Sequence, residues 1–225
     1  ENTIQHLKKL EEKVAGIFVT VHPYGLPGEV AGQGSNKNWM IKHILKELKT
    51  RQININDVFV TTLDADFTIS KGFLSGALHK YLSLPESIRD KRSLTGVFLY
   101  HNNYWQTPTP MRLMATGTSF WQLAEMVGSD KYINYSSMSI SLKALLDIGG
   151  WIPDKVNDDS GFYWKAYFHF KGDYKVVPHF LPISADAVQD TTLLKTFQNQ
   201  YLQIKRWAYG VEHTPFIVKQ YFKQG

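Results

Sequence analysis

The stretch Val58-Phe59-Val60-Thr61-Thr62-Leu63-Asp64-Ala65-Asp66 decides how this chain is read. Its first six residues are apolar or β-branched, the composition of a buried strand. Two carboxylates follow at the carboxyl end of that strand. Two acids separated by one residue can face a single crevice where the chain turns. Asp-x-Asp alone is common in solvated loops, but a strand that delivers the pair gives it a fixed aim. Carboxylate oxygens suit Mg²⁺ or Mn²⁺, which bind a few acids and share a substrate's phosphates. A cation at that point would neutralise a departing diphosphate.

Working outward, helix and strand periodicities alternate. Upstream, Ile4, Leu7, Leu10 and Val14 form a helical stripe. Ile17 to Val21 reads as a buried strand ended by His22-Pro23, with His22 more simply structural than functional. A Gly/Pro loop runs from Tyr24 to Gly34, and Met40, Ile41, Ile44, Leu45 and Leu48 mark an amphipathic helix. Downstream, Ser70 is expected to cap a helix carrying Phe73, Leu74, Ala77, Leu78 and Tyr81 on one face. Leu94 to Tyr100 predicts a strand, and Met111 to Val127 a helix entered through Pro108 and Pro110. Tyr132 to Ile140 is strand-like. A short helix from Leu142 to Ile148 is closed by Gly149-Gly150. Tyr174 to Val177 is a short strand, and a long helix covers Leu193 to Tyr209. This alternation predicts an α/β fold with a mixed, largely parallel sheet flanked by helices. In such sheets ligands collect outside the carboxyl ends of strands, where Asp64 and Asp66 lie.

The bulk numbers narrow the class. The chain has 225 residues, 43% hydrophobic and 20% charged, enough for one large domain with a sizeable core. It has no cysteine, which rules out disulfides and thiolate metal sites. The net charge of +5 is spread along the chain without a Lys/Arg block, so nucleic acid is not an expected partner. No apolar run reaches the roughly 20 residues of a membrane span.

Two further constellations carry chemistry. Asp158-Asp159 follows Gly149-Gly150-Trp151 and a loop. Adjacent carboxylates repel, so one of them can hold a raised pKa and act as a base, and both also suit the positive start of a helix. Gln203, Arg206 and Trp207 stand at i, i+3 and i+4 and share a helix face. An amide, a guanidinium and an indole there suit a sugar diphosphate, although an amphipathic helix with a core Trp has the same spacing. Trp105, in the polar-aromatic segment Tyr100-His101-Asn102-Asn103-Tyr104-Trp105, and Asp186 are weaker candidates for an acceptor surface.

Asp64-Ala65-Asp66, then Asp158-Asp159, then Gln203-Ile204-Lys205-Arg206-Trp207, in this order, resemble the D-x-D, acidic-pair and Q-x-x-R-W motifs of glycosyltransferase family 2. The likeness is to its GT-A fold, Rossmann-like members of the cellulose-synthase and hyaluronan-synthase type. Ile148-Gly149-Gly150-Trp151 is similar to the segment before the family's acidic pair, and Gly32-Gln33-Gly34-Ser35-Asn36-Lys37-Asn38 to its G-K-x-x-x-x-N helix start. The resemblance implies metal ligation by Asp66, with Asp64 on the metal, the nucleotide or both. It implies Asp159 as the base that deprotonates an acceptor hydroxyl for one inverting displacement. Gln203, Arg206 and Trp207 would bind the diphosphate and the acceptor end, Asn38 would line the donor pocket, and Lys37 would stand in at the phosphates for the family's lysine. Trp151, Asp158, Asp186 and Trp105 are the acceptor-side candidates.

The implied partners are a nucleoside diphosphate sugar, such as a UDP-sugar, and a glycan or lipid-linked acceptor, at the cytoplasmic face of a bacterial membrane. Three departures accompany the likeness. Gln33 stands in place of lysine, the acidic pair is Asp-Asp, and no P-x-Y-N-E-like segment precedes Ile4. The expectation is therefore a GT-A catalytic domain over 1–210 lacking its first strands, then an amphipathic tail over 211–225 that approaches a membrane surface. The competing expectation is a non-catalytic glycan- or nucleotide-binding module on a decayed transferase scaffold.

Overall fold

The structure is a computed structural model and describes residues 14–128, 132–133 and 135–224. It is an α/β arrangement built on one mixed five-stranded sheet flanked by helices. In chain order the elements are α1 (Gln33–Thr50), β1 (Phe59–Thr62), β2 (Thr68–Ile69), α2 (Phe73–Ser83), α3 (Glu86–Arg89), β3 (Arg92–Tyr100) and α4 (Thr109–Gly128). Then come β4 (Met138–Ser141), α5 (Leu142–Ile148), α6 (Asp158–His169), β5 (Lys175–Ala185), α7 (Leu193–Ala208) and α8 (Thr214–Gln224). Short 3-10 turns occupy Ile55–Asp57 and Tyr209–His213.

The sheet order is β1-β4-β3-β5-β2. Among directly paired strands only β3 and β5 are parallel; β1 with β4, β4 with β3 and β5 with β2 are antiparallel. The sheet is mixed as expected but not largely parallel, because β4 enters between β1 and β3 in the opposite sense and β2 lies antiparallel to β5. β1 is an edge strand among the described residues and only partly buried, whereas every residue of β3 from Arg92 to Phe98 is buried. The hydrophobic core gathers around β3 and β4, with Ile140, Leu142, Leu145, Phe162, Tyr174 and Ile183 fully enclosed.

Several sequence expectations change. Ile17 to Val21 forms no strand: it finds no ladder partner among the described residues, and Phe18, Val19 and Val21 are exposed, Val21 at 75%. The stripe from Ile4 to Val14 falls outside the described residues except at Val14. Ser70 does not cap α2. Gly72, in the left-handed region at φ 83°, holds that position, and Leu74 and Leu78 turn to solvent while Phe73 and Ala77 enter the core. The strand expected from Tyr132 shrinks to Met138–Ser141, since Ser136 takes a φ of 53° and bends the chain just before it; Asn134 lies outside the described residues. β5 runs eight residues past Val177, where the expected strand ended, through two prolines. An irregularity opposite Thr95 to Val97, with Phe180 at φ 56°, lets the strand carry Pro178 and Pro182.

That irregularity needs a glycine on β3. A Cβ at Gly96 would sit 2.5 Å from the Leu181 carbonyl oxygen and 2.6 Å from Phe73 Cε2. Backbone cannot yield there as a side chain could. Gly96→Ala is expected to destabilise the fold by at least about 2 kcal/mol, read as a lower urea midpoint at unchanged slope.

The short helix α5 behaves as its sequence indicates. Ser141 Oγ accepts from the Ala144 N–H at 3.2 Å, and Gly149 ends the helix at φ 87°. The Gly149 and Gly150 N–H groups return to the Leu146 and Leu145 carbonyls, each at 2.9 Å.

Candidate functional site

The sheet brings one set of chain ends together. The register pairs Thr62 with Met138, Tyr100 with Ala185 and Thr68 with Ser184. The carboxyl ends of β1, β3 and β5 therefore share an edge with the start of β4. Asp64-Ala65-Asp66 crosses this edge between β1 and β2, folded by a turn in which Asp64 O accepts the Phe67 N–H at 3.1 Å. This is the crevice where ligands of α/β sheets collect.

Around it stand three pieces brought from distant sequence. The first is the start of α1. Gln33 Nε2 donates to Asp64 Oδ1 at 2.7 Å, and one turn on, Lys37 Nζ lies 2.7 Å from Asp158 Oδ2. That ion pair is enclosed, with side-chain exposures of 12% and 4%. Gly34 permits the approach, since a Cβ there would lie 2.9 Å from Asp158 Cβ. Asn38 clasps the Trp151 backbone from both sides, donating to its carbonyl at 2.8 Å and accepting its N–H at 3.0 Å. Gly150 makes room, because a Cβ would fall 2.6 Å from Asn38 Oδ1.

The second piece is the start of α6. Its first turn holds Asp158 and Asp159, where the helix dipole favours negative charge. The two acids part company there. Asp158 points into the protein against Lys37, while Asp159 lines a cavity and its Oδ2 accepts the Ser136 N–H at 2.7 Å. The third piece is the end of α7, where Asn157 Nδ2 donates to the Trp207 carbonyl at 3.3 Å. Buried His213 shares a hydrogen bond with the Asn157 carbonyl at 3.0 Å and completes the clasp.

The electrostatics follow from this packing. Burial raises the Asp64 carboxyl above the ordinary carboxylate range. The Gln33 amide and the Lys37 ammonium oppose that rise and the Asp159 carboxylate adds to it. Burial raises Asp158 too, against the Lys37 ammonium and with Asp159 adding. Of the adjacent acids, then, Asp158 is raised, and it is the one turned away from the cavity. Tyr100, at the end of β3, is pushed up to about 12 by burial, with Asp64 and Asp66 contributing.

A cavity of about 370 Å³ opens beside Asp159. Tyr100, Trp121, Gln122, Tyr135, Trp164 and Trp207 form much of its wall. Trp207 stands at 43% exposure, so α7 does not bury its indole in the core. Gln203 and Asp186 line a small adjoining crevice that Trp207 also borders. Arg206 is exposed and borders neither space.

The other candidates fall elsewhere. Trp151 is core, 2% exposed against Phe162, and presents no surface to an acceptor. Trp105 is 82% exposed beside the Arg112 guanidinium, away from the cavity. Lys37 is held by Asp158, and the Asn38 amide by the Trp151 backbone, so neither offers a free head group to a donor. His22 pairs with Glu29 at 2.7 Å and packs edge-on to Trp39, in keeping with a structural role. The cavity wall on α4 escaped the sequence reading. Its signal was Thr118, Trp121 and Gln122 at i, i+3 and i+4, one face of a helix otherwise read only for its apolar stripe.

Among the described residues no three His, Cys, Asp or Glu side chains converge on a metal-sized point. Asp64 and Asp66 offer hard oxygens without a complete cage. That donor set fits Mg²⁺ or Mn²⁺ taking its remaining ligands from phosphates and water. No helix among the described residues is long and apolar enough to cross a membrane. No protein-family model matches the chain, and a search of curated proteins finds no match to it.

Proposed function

We propose that this chain is a glycosyltransferase domain of the GT-A type, moving a sugar from a nucleoside diphosphate donor to a glycan or lipid-linked acceptor with inversion. The observation that carries the reading is geometric: Gln33 and Lys37, one turn apart on α1, bond Asp64 and Asp158, which brings the acidic turn after β1 to the start of α6, where Asp159 lines a cavity walled by Trp207. Of the motifs that resemble one family in sequence order, Asp159 and Trp207 line the same cavity and Asp64 is tied to the neighbouring helix start through α1, while Arg206 borders neither space. Asp64 and Asp66 would hold a divalent cation, whose charge would favour the leaving diphosphate. Asp159, held by the Ser136 N–H at the cavity wall, would take the proton of the acceptor hydroxyl as that oxygen attacks the anomeric carbon. The Lys37–Asp158 pair and the Asn38 clasp would position the start of α6, and Asp159 with it. The exposed Val218, Tyr221 and Phe222 of α8 suit a membrane surface, which supports action at the cytoplasmic face of a bacterial membrane.

Calorimetric titration with UDP and Mn²⁺ tests the donor half. Asp64→Asn keeps the Gln33 hydrogen bond acceptable and removes the charge, so metal-dependent UDP affinity should fall by about tenfold or more. Equal affinity in wild type and variant would remove Asp64 from the donor site. One feature favours the second reading, a non-catalytic sugar-binding module: Gln33, where the family has lysine, donates to Asp64 itself. Glycan binding without metal-linked UDP binding or turnover would select that reading.

A further inference from the structure

The cavity beside Asp159 has a composition that selects its occupant. Trp121, Trp164, Trp207 and Tyr135 supply flat apolar faces, with Trp121 and Tyr135 centroids 5.9 Å apart. Thr118, Asn157 and Ser160 supply neutral hydrogen-bonding groups between them. Among the described residues no Lys, Arg or His lines it, and the one charge they bring to its wall is the Asp159 carboxylate. Such a wall repels anions and gives a phosphate no cation to pair with. It suits an amphipathic ring that shows C–H faces to indoles and hydroxyls to amides. The volume of about 370 Å³ lies at the small end of ligand pockets.

A second observation points into the same space. Gln122 is buried to 5% exposure and lines the cavity; its amide meets the Tyr100 hydroxyl, while its Oε1 has no hydrogen-bond partner among the described residues. A buried amide oxygen left without a donor is costly, and a hydroxyl entering the cavity would satisfy it.

We propose that this cavity is a subsite for an uncharged pyranosyl unit of the acceptor, stacked on the Trp121 side of the wall and hydrogen-bonded by Gln122. The word acceptor rests on the transferase reading; recognition of a neutral sugar ring rests on the cavity itself. The subsite excludes glycans whose corresponding residue is a uronate or carries phosphate.

The test is calorimetry on the full chain with an array of neutral pyranose oligosaccharides in gluco, manno, galacto and N-acetylated forms, against matched uronate oligosaccharides. UDP with Mn²⁺ is titrated in parallel. At least one neutral series should bind, with its uronate counterpart at least about tenfold weaker. Trp121→Ala and Gln122→Met should each weaken neutral-sugar binding by about tenfold and leave UDP–Mn²⁺ affinity unchanged. Trp121 is half exposed on α4, so its variant reports on the site even if Gln122→Met perturbs the fold. Uronates binding as well as neutral sugars, no sugar binding at all, or affinity indifferent to Trp121→Ala would overturn the subsite. Sugar binding that behaves as expected in a protein that never binds UDP–Mn²⁺ would uphold the subsite and sink the transferase reading instead.

Discussion

Asp158→Ala is expected to destabilise the domain by about 3–5 kcal/mol in urea unfolding at neutral pH. The expectation comes from enclosure rather than from the ion pair as such. A surface pair contributes little, but Lys37 and Asp158 are 12% and 4% exposed at 2.7 Å. Removing the carboxylate leaves the Lys37 ammonium buried among Trp151 and the start of α6 without its counter-charge. The double variant Lys37→Met with Asp158→Ala removes the stranded charge and should recover more than half of the loss. A single-variant cost under about 1 kcal/mol would mean that the pair does not organise the α1–α6 junction.

The same pair gives a pH signature. Burial makes the folded protein hold the Asp158 proton more tightly than the unfolded chain does. Holding that proton therefore adds stability that is fully present below the ordinary carboxylate range and is lost as pH rises through the raised value, above which the ionised pair with Lys37 remains. Stability of the wild type relative to Asp158→Asn should decline across that window. A difference that rises with pH there would contradict the burial-dominated account.

Asp159→Asn carries the largest expected catalytic effect, a fall in kcat of about 10²–10⁴-fold at unchanged UDP affinity. The substitution is nearly isosteric, and its amide oxygen can still accept the Ser136 N–H, so the loop before β4 keeps its anchor. What is lost is the ability to take a proton. Melting temperature should move little, since the partly buried side chain faces a cavity rather than the core. Retention of more than about a tenth of kcat would exclude Asp159 as the base and reopen the search among cavity-lining groups.

Much of the fold was legible because its signals are local. The β-branched run before Asp64, the Gly149-Gly150 stop and the periodicity of α4 and α7 each depend on near neighbours in the chain. Where the sequence reading failed, the deciding partner was distant. Ile17 to Val21 has strand composition but, among the described residues, no strand beside it to complete a ladder. β5 passes through Pro178 and Pro182 only because β3 provides a parallel neighbour with Gly96 opposite the irregularity. β4 reverses direction between β1 and β3, which periodicity along one strand cannot report.

The same division runs through the site. From sequence alone come the acidic turn after β1, the adjacent acids, the helix bearing Gln203 and Trp207, and the resemblance that orders them. Tertiary structure alone decides which of two neighbouring acids is buried against a lysine and which faces open space. It also occupies Lys37 and Asn38 with protein partners, takes Trp151 into the core, and adds Trp121 and Gln122 to the wall beside Asp159. The physical reason is the same in each case. Residue type and spacing set what a side chain can do, but burial and the charge across the crevice come from elements far away in sequence, and they decide what it does.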